Sequence, residues 1–202
     1  MHAARVAPTP FPTVEQLREL LAARPHPEAV GARVEAAVAV CLLGGAVLLA
    51  RRAHHPLDPW SGHAALPGGR MDAGDPDLLG TALRETREEV GFDPLEHGRL
   101  LGALGSYTGE GRSRIAGVRV SVFVCELDRE PVIELSSELD EAHWVPLSAL
   151  QTTSVGVPEL DEAVDAYELA VGERPLIVWG ITYRILEWLR SVASSSSSAR
   201  SR

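Results

Sequence analysis

Apolar positions recur along the chain with two different periods, and those periods lay out its elements. Residues Ala36 to Ala50 are an unbroken run of apolar residues and glycine, divided by Gly44-Gly45. The run is too short to span a bilayer. Two buried strands joined by a tight turn fit it, over Ala37–Leu43 and Ala46–Arg52. Val118, Val120, Val122 and Val124 alternate with Arg119, Ser121 and Phe123, which predicts a half-buried strand over Ile115–Leu127. Arg99–Tyr107 reads as its partner across a Gly/Ser/Arg-rich turn, and His143-Trp144-Val145 as a further strand. Helical spacing appears at Val14, Leu17, Leu20 and Leu21 behind a Thr13 cap, predicting a helix over Val14–Ala23. It returns at Ile181, Ile185, Leu186 and Leu189. Leu160, Val164, Tyr167, Leu169 and Val171 suggest one more helix within Gln151–Arg174. His54 to Trp60 carries two prolines and reads as loop, its adjacent histidines solvated.

The stretch from Leu66 to Phe92 organises the rest. It opens with the turn Pro67-Gly68-Gly69, continues through a loop with Asp72 and Asp75, and enters a helix. Asp75 is the expected N-cap, with Pro76 at the first helical position, Asp77 near the positive end of the dipole and Gly91 as terminator. Leu79, Leu83, Thr86 and Val90 form one mostly apolar stripe. Glu85, Glu88 and Glu89 stand at i, i+3 and i+4, within roughly 100° of arc, on a face expected to point away from that stripe. Clustered carboxylates repel one another, and Arg84 and Arg87 offset only part of the cost. Hard oxygen donors grouped this way suit Mg²⁺ or Mn²⁺.

Composition narrows the chemistry. A net charge of −9 argues against a nucleic-acid partner, and it makes a bound cation necessary for an anionic substrate. All 19 basic residues are arginine, which excludes a P-loop or Schiff-base lysine and leaves phosphate recognition to arginine, backbone amides and metal. The two cysteines, Cys41 and Cys125, sit in apolar runs and read as buried thiols. With no disulfide framework, a cytoplasmic location is expected.

Arg84-Glu85-Thr86-Arg87-Glu88-Glu89-Val90-Gly91-Phe92 resembles the second half of the Nudix hydrolase box, R-E-U-x-E-E-x-G-U, with Thr86 where an apolar residue is usual. Counting from Gly69, the first acidic position of the box falls on Asp75. The coenzyme A pyrophosphatase branch is similar in four places: Leu48–Ala53, Gly62–Gly69, Thr81–Glu85 and Val178–Leu186. An acidic stretch before Trp144-Val145-Pro146-Leu147 also matches the family. The resemblance implies an α/β/α sandwich with a mixed central sheet and a metal-dependent hydrolase that cleaves a nucleoside diphosphate linked to another group. Coenzyme A or an acyl-CoA is the first substrate. ADP-ribose, dinucleotides or triphosphates are the alternatives within the family, and a non-catalytic nucleotide-binding module is the alternative outside catalysis. Glu85, Glu88 and Glu89 would hold Mg²⁺ or Mn²⁺ with a carbonyl at Gly69, and Arg84 would hold the glutamates. Glu138, Asp140 or Glu141 would supply a general base or another ligand. Arg51, Arg52 and Arg70 are the candidates for substrate phosphates, although a salt bridge is an equal use for Arg51 and Arg52. The expected partner is a small nucleotide diphosphate, with no membrane and with a homodimer left open. By this reading residues 1–32 are an arm and helix, 33–190 the Nudix domain, and 191–202 a disordered Ser-rich tail.

Overall fold

The computed structural model describes residues 9–55, 61–109, 117–157 and 162–197. The apolar run forms a hairpin of β1 (Val34–Leu43) and β2 (Ala46–Arg52). Gly44 and Gly45 both take positive φ, 55° and 84°, which a two-residue turn between twisted strands demands. After the turn the two strands diverge. They pair only at Leu42–Leu43, while Ala36–Val38 pair with β4 (Gly68–Arg70), which wedges in beside β1. Ala50 and Arg51 of β2 pair with β3 (Ala64–Ala65), and β2 pairs along its whole length with β7 (Leu139–Pro146). On its other side β1 runs parallel to β6 (Val118–Leu127), followed by antiparallel β5 (Gly98–Thr108). The sheet is therefore mixed, as the resemblance implies. Cys41 and Cys125 are register partners across the β1–β6 seam, both free and fully buried.

Strand period sorts the side chains onto two faces. Ala37, Ala39, Cys41, Leu48 and Ala50 face helix α2 (Leu78–Val90). Val40, Leu42, Val47 and Leu49 face the opposite way, into a larger core with α1 (Val14–Leu21) and the C-terminal helix α3 (Gly180–Ser197). Helix α1 begins with a capping box between Thr13 and Gln16, and it buries Leu17 and Leu21 completely. This helix, set with the arm outside the 33–190 domain, packs into the main core.

Two sequence expectations are corrected here. The described residues of 151–174 are not helical: β8 (Thr152–Val155) and β9 (Val164–Leu169) join β10 (Leu176–Val178) in a small second sheet. Buried Tyr167 and Leu169 are two apart and belong to a strand, while Leu160 lies outside the described residues. Helix α3 runs on to Ser197, with Val192 buried, so residues 191–197 continue the helix. Residues 110–114 of the expected Gly/Ser/Arg-rich turn lie outside the described residues, as do 115–116 of the predicted strand and 56–60 of the predicted loop. Among the described residues no helix is long and apolar enough to cross a membrane.

Candidate active site

Strand β4 explains the two glycines of the turn. A Cβ on Gly68, at φ +148°, would collide with the Ala37 carbonyl on β1. One on Gly69 would stand 2.5–2.6 Å from the carboxyl group of Glu85. Only a bare backbone lets the helix carboxylates come this close. The Gly68 N–H donates to Glu89 Oε2 at 2.9 Å.

Helix α2 begins two residues later than expected. Asp77 is its N-cap, accepting from the Gly80 N–H at 2.7 Å, and Gly91 closes it in the left-handed region at φ 83°. Asp75 does something else. Arg84 donates to both its oxygens, from Nε at 2.8 Å and Nη2 at 3.0 Å. Its remaining capacity is taken by the Asp72 N–H and the Thr81 hydroxyl, both at 2.9 Å. The Arg84 guanidinium holds the Asp75 carboxyl far below the usual carboxylate range. Arg84 then reaches across the cluster, donating from Nη1 to Glu85 at 2.9 Å and Glu88 at 3.0 Å, and from Nη2 to the Arg70 carbonyl at 3.0 Å.

The three glutamates differ in environment. Glu88 is exposed, Glu85 is half-buried, and Glu89 is only 6% exposed. Glu89 thus sits on the sheet side of the helix, which corrects the expectation that the whole cluster turns from the apolar stripe. Of the expected stripe Thr86 and Val90 are buried, while Leu78 and Ala82 take the places of Leu79 and Leu83 one residue earlier, on the side of the helix that carries Glu89 to the Gly68 N–H. Thr86 stays buried by donating to the Ala82 carbonyl at 2.7 Å, so its hydroxyl is satisfied on the helix itself. Burial pushes the Glu89 carboxyl up to about 7, helped by the charges of Glu85 and Glu138 and opposed by the Gly68 N–H and Arg52. Glu85 is raised for the same first reason, burial, and then by Glu88 and Glu138 despite Arg84.

Glu138 therefore lies within electrostatic reach of the cluster. Its loop is pinned there: the Glu134 N–H donates to the Val90 carbonyl, Ser136 N–H to the Glu89 carbonyl, and Ala53 N–H to the Glu138 carbonyl. Glu141 is not free in this way. It pairs with Arg51 Nε and, at 2.9 Å, with His143 Nε2, and these bonds lower its carboxyl although burial works against them. Arg51 itself is 5% exposed, and it also donates to the carbonyls of Gly62, Arg174 and Pro175. The expectation that Arg51 meets substrate is corrected: the alternative use, a salt bridge, is what forms. Strand alternation decides this, since Arg51 follows Leu49 to the α1/α3 face while Arg52 follows Ala50 to the α2 face. Asp140 is exposed beside a register shift in the β2–β7 ladder. Arg70 is exposed at the end of β4.

All donors near Glu89 are hard oxygens, and two of the carboxyls are destabilised as anions by burial and by one another. A divalent cation would relieve both strains, so the residues fit Mg²⁺ or Mn²⁺ and not a soft ion. Among the described residues no three acidic, His or Cys side chains already converge on one point, because Arg84 and the Gly68 N–H hold them.

A glutamate-bearing helix under a glycine wedge on a mixed sheet defines a recognisable class, and comparison with known proteins gives it a family. The model of the NUDIX domain matches residues 33–167. The chain belongs to the NUDIX family. It is 33% identical over 157 residues to the mitochondrial coenzyme A diphosphatase NUDT8 of Mus musculus, covering 74% of this chain and 72% of that protein. The Homo sapiens NUDT8 is 34% identical over 157 residues, covering 75% and 65%. These similarities set it in the coenzyme A branch of the family. An uncharacterized Schizosaccharomyces pombe protein, C14C4.10c, is 40% identical over 107 residues, and the chain spans 32% of its length. A MutT/nudix family protein of Enterococcus faecalis shares the fold with a TM-score of 0.52 at 17% identity, over 92% of this chain and 70% of that one.

Proposed function

We propose that the protein is a divalent-cation-dependent pyrophosphohydrolase that cleaves the diphosphate of coenzyme A or an acyl derivative. The observation that carries this reading is the carboxylate cluster of α2 held against the Gly68-Gly69 wedge, in a chain similar over three quarters of its length to two coenzyme A diphosphatases. When bound by Glu85, Glu88 and Glu89 with a carbonyl at Gly69, Mg²⁺ or Mn²⁺ supplies the positive charge that neutralises the diphosphate and favours attack by water. Arg84 fixes Glu85 and Glu88 and is itself fixed by Asp75, so the cluster is preorganised. The Gly68 N–H orients Glu89. The Glu138 carboxylate takes the proton of the attacking water, since Glu141 is committed to Arg51 and His143. Arg70, exposed at the end of β4, meets a substrate phosphate, and Arg52 adds positive charge beside Glu89. Two buried free thiols suit a reducing compartment such as the cytoplasm.

The test is a product screen of the purified protein with Mg²⁺ or Mn²⁺ across coenzyme A, ADP-ribose, NADH and nucleoside triphosphates. Coenzyme A should give 3′,5′-ADP and 4′-phosphopantetheine. Preference for ADP-ribose would replace the substrate while keeping the chemistry, and binding without turnover of any of them would make the protein a nucleotide-binding module.

A further inference from the structure

Fourteen arginines lie among the described residues, and eleven of their side chains have a hydrogen-bond, ion-pair or electrostatic partner. Arg33, Arg70 and Arg174 do not. Arg33 and Arg70 line the same open cleft, of about 470 Å³, together with Glu35, Met71, Asp72 and Asp75. Arg70 pairs in register with Ala36 and Arg33 directly precedes β1, so the two flank one end of that strand.

The acids of the cleft do not answer these two charges. Glu35 accepts from Arg119 at 3.2 Å and from the N–H groups of Val30 (2.8 Å) and Ala32 (3.1 Å). Asp75 is saturated by Arg84, Thr81 and the Asp72 N–H. Asp72 is exposed to solvent and stands 3.9 Å from Arg84. Two exposed guanidiniums without partners, in a chain of net charge −9, are therefore concentrated in one recess. The recess shares a wall with the glutamate cluster, because the Arg70 carbonyl accepts from Arg84 and Asp75 faces both.

We infer that this cleft is a subsite for a phosphate monoester of the substrate, separate from the diphosphate that is cut, and that Arg33 and Arg70 read it. The inference rests on the coenzyme A reading and deepens it: the monoester is the 3′-phosphate of the nucleoside half. A guanidinium offers a planar pair of donors that matches two phosphate oxygens, and two of them suit a dianion. Lying one wall away from the cluster, the subsite would anchor the nucleoside end while the diphosphate spans the carboxylates.

Two measurements test it. In chelator, calorimetry should show 3′,5′-ADP binding roughly tenfold or more tightly than 5′-AMP, and Arg33→Ala with Arg70→Ala should erase that preference. Turnover of coenzyme A relative to dephospho-coenzyme A should fall by a similar factor in the double variant, through KM. Both side chains are exposed, so the variant should keep the wild-type melting transition. Equal binding of the two nucleotides by the wild type, an unchanged preference in the variant, or equally tight binding of 4′-phosphopantetheine would overturn the subsite. No turnover of coenzyme A, with selective and arginine-dependent 3′,5′-ADP binding intact, would instead overturn the hydrolase reading and leave the subsite standing.

Discussion

The two faces of the central sheet are built from the same strands for different ends. Toward α1 and α3 the strands present Val40, Leu42, Val47 and Leu49 to a wide core of leucine, isoleucine and Tyr167. Toward α2 strand β1 presents only Ala37, Ala39 and Cys41, β2 adds Ala50 beside Leu48, and the helix answers with Ala82. Small side chains let α2 lie close to the sheet, which is what places Glu89 at the Gly68 N–H and Glu85 against Gly69. One face gathers apolar volume, and the other gives up volume so that carboxylates can approach a backbone. Stability and chemistry should separate accordingly when each face is damaged.

The largest separation should come from Glu89→Gln. It keeps the shape and removes the charge, so turnover should drop by about two powers of ten or more, roughly 3 kcal/mol or more of barrier, while thermal unfolding stays cooperative. Full turnover that still depends on metal would take Glu89 out of the site. The converse is Leu186→Ala on the far face, where a fully buried side chain is truncated. It should cost about 3 kcal/mol in denaturant unfolding, yet leave kcat per folded molecule near wild type. A comparable collapse of kcat would show that the two faces are not independent.

Asp75→Asn sits between them. It strips Arg84 of its bidentate partner, so the loss should appear in both readouts: about 2 kcal/mol of stability and a lower kcat, with Asp75→Glu restoring part of each. A pH titration of the chelated protein sharpens the comparison at the smallest scale. The Glu89 carboxyl is raised from its ordinary value of 4.5 to about 7 by burial, then by Glu85 and Glu138. The folded state thus binds a proton that the unfolded chain releases, and stability should fall as pH rises from about 4.5 to 7. After discounting for relaxation the change is on the order of 1 kcal/mol. Glu89→Gln should flatten that slope, and a slope that persists in the variant would assign it to another group.

Much of this was legible in the chain, for reasons that also mark where legibility stops. The hairpin was readable because Gly44-Gly45 interrupts a run that admits no other turn. Helix α2 was readable because its glutamates and Gly91 keep local spacing. What failed was decided by distant partners. Asp75 and Asp77 are both reasonable caps, and only Arg84, nine residues away, selects one for pairing and leaves the other to the helix. Arg51 and Arg52 are identical in type, and only strand phase sends one into the core and the other toward Glu89. Val164 to Val171 fits a helical period almost as well as a strand, and the choice falls to strand because β8 and β10 supply its hydrogen bonds. Arg33 gave no signal at all, since its meaning depends on a cleft shared with a residue 37 positions on.

The neighbouring thiols across the β1–β6 seam give this molecule a chemical clock. Cys41 and Cys125 are both fully buried, and burial pushes the Cys125 thiol up to about 12. A thiol held in its protonated form reacts poorly with disulfide reagents. Strand β1 also pairs with β4, and β4 carries the glycines on which the glutamates rest. Thiol labelling therefore counts the moments when the central seam parts. Its rate with and without Mn²⁺ would measure how far a ligand on one surface of the sheet slows the opening of strands beneath it.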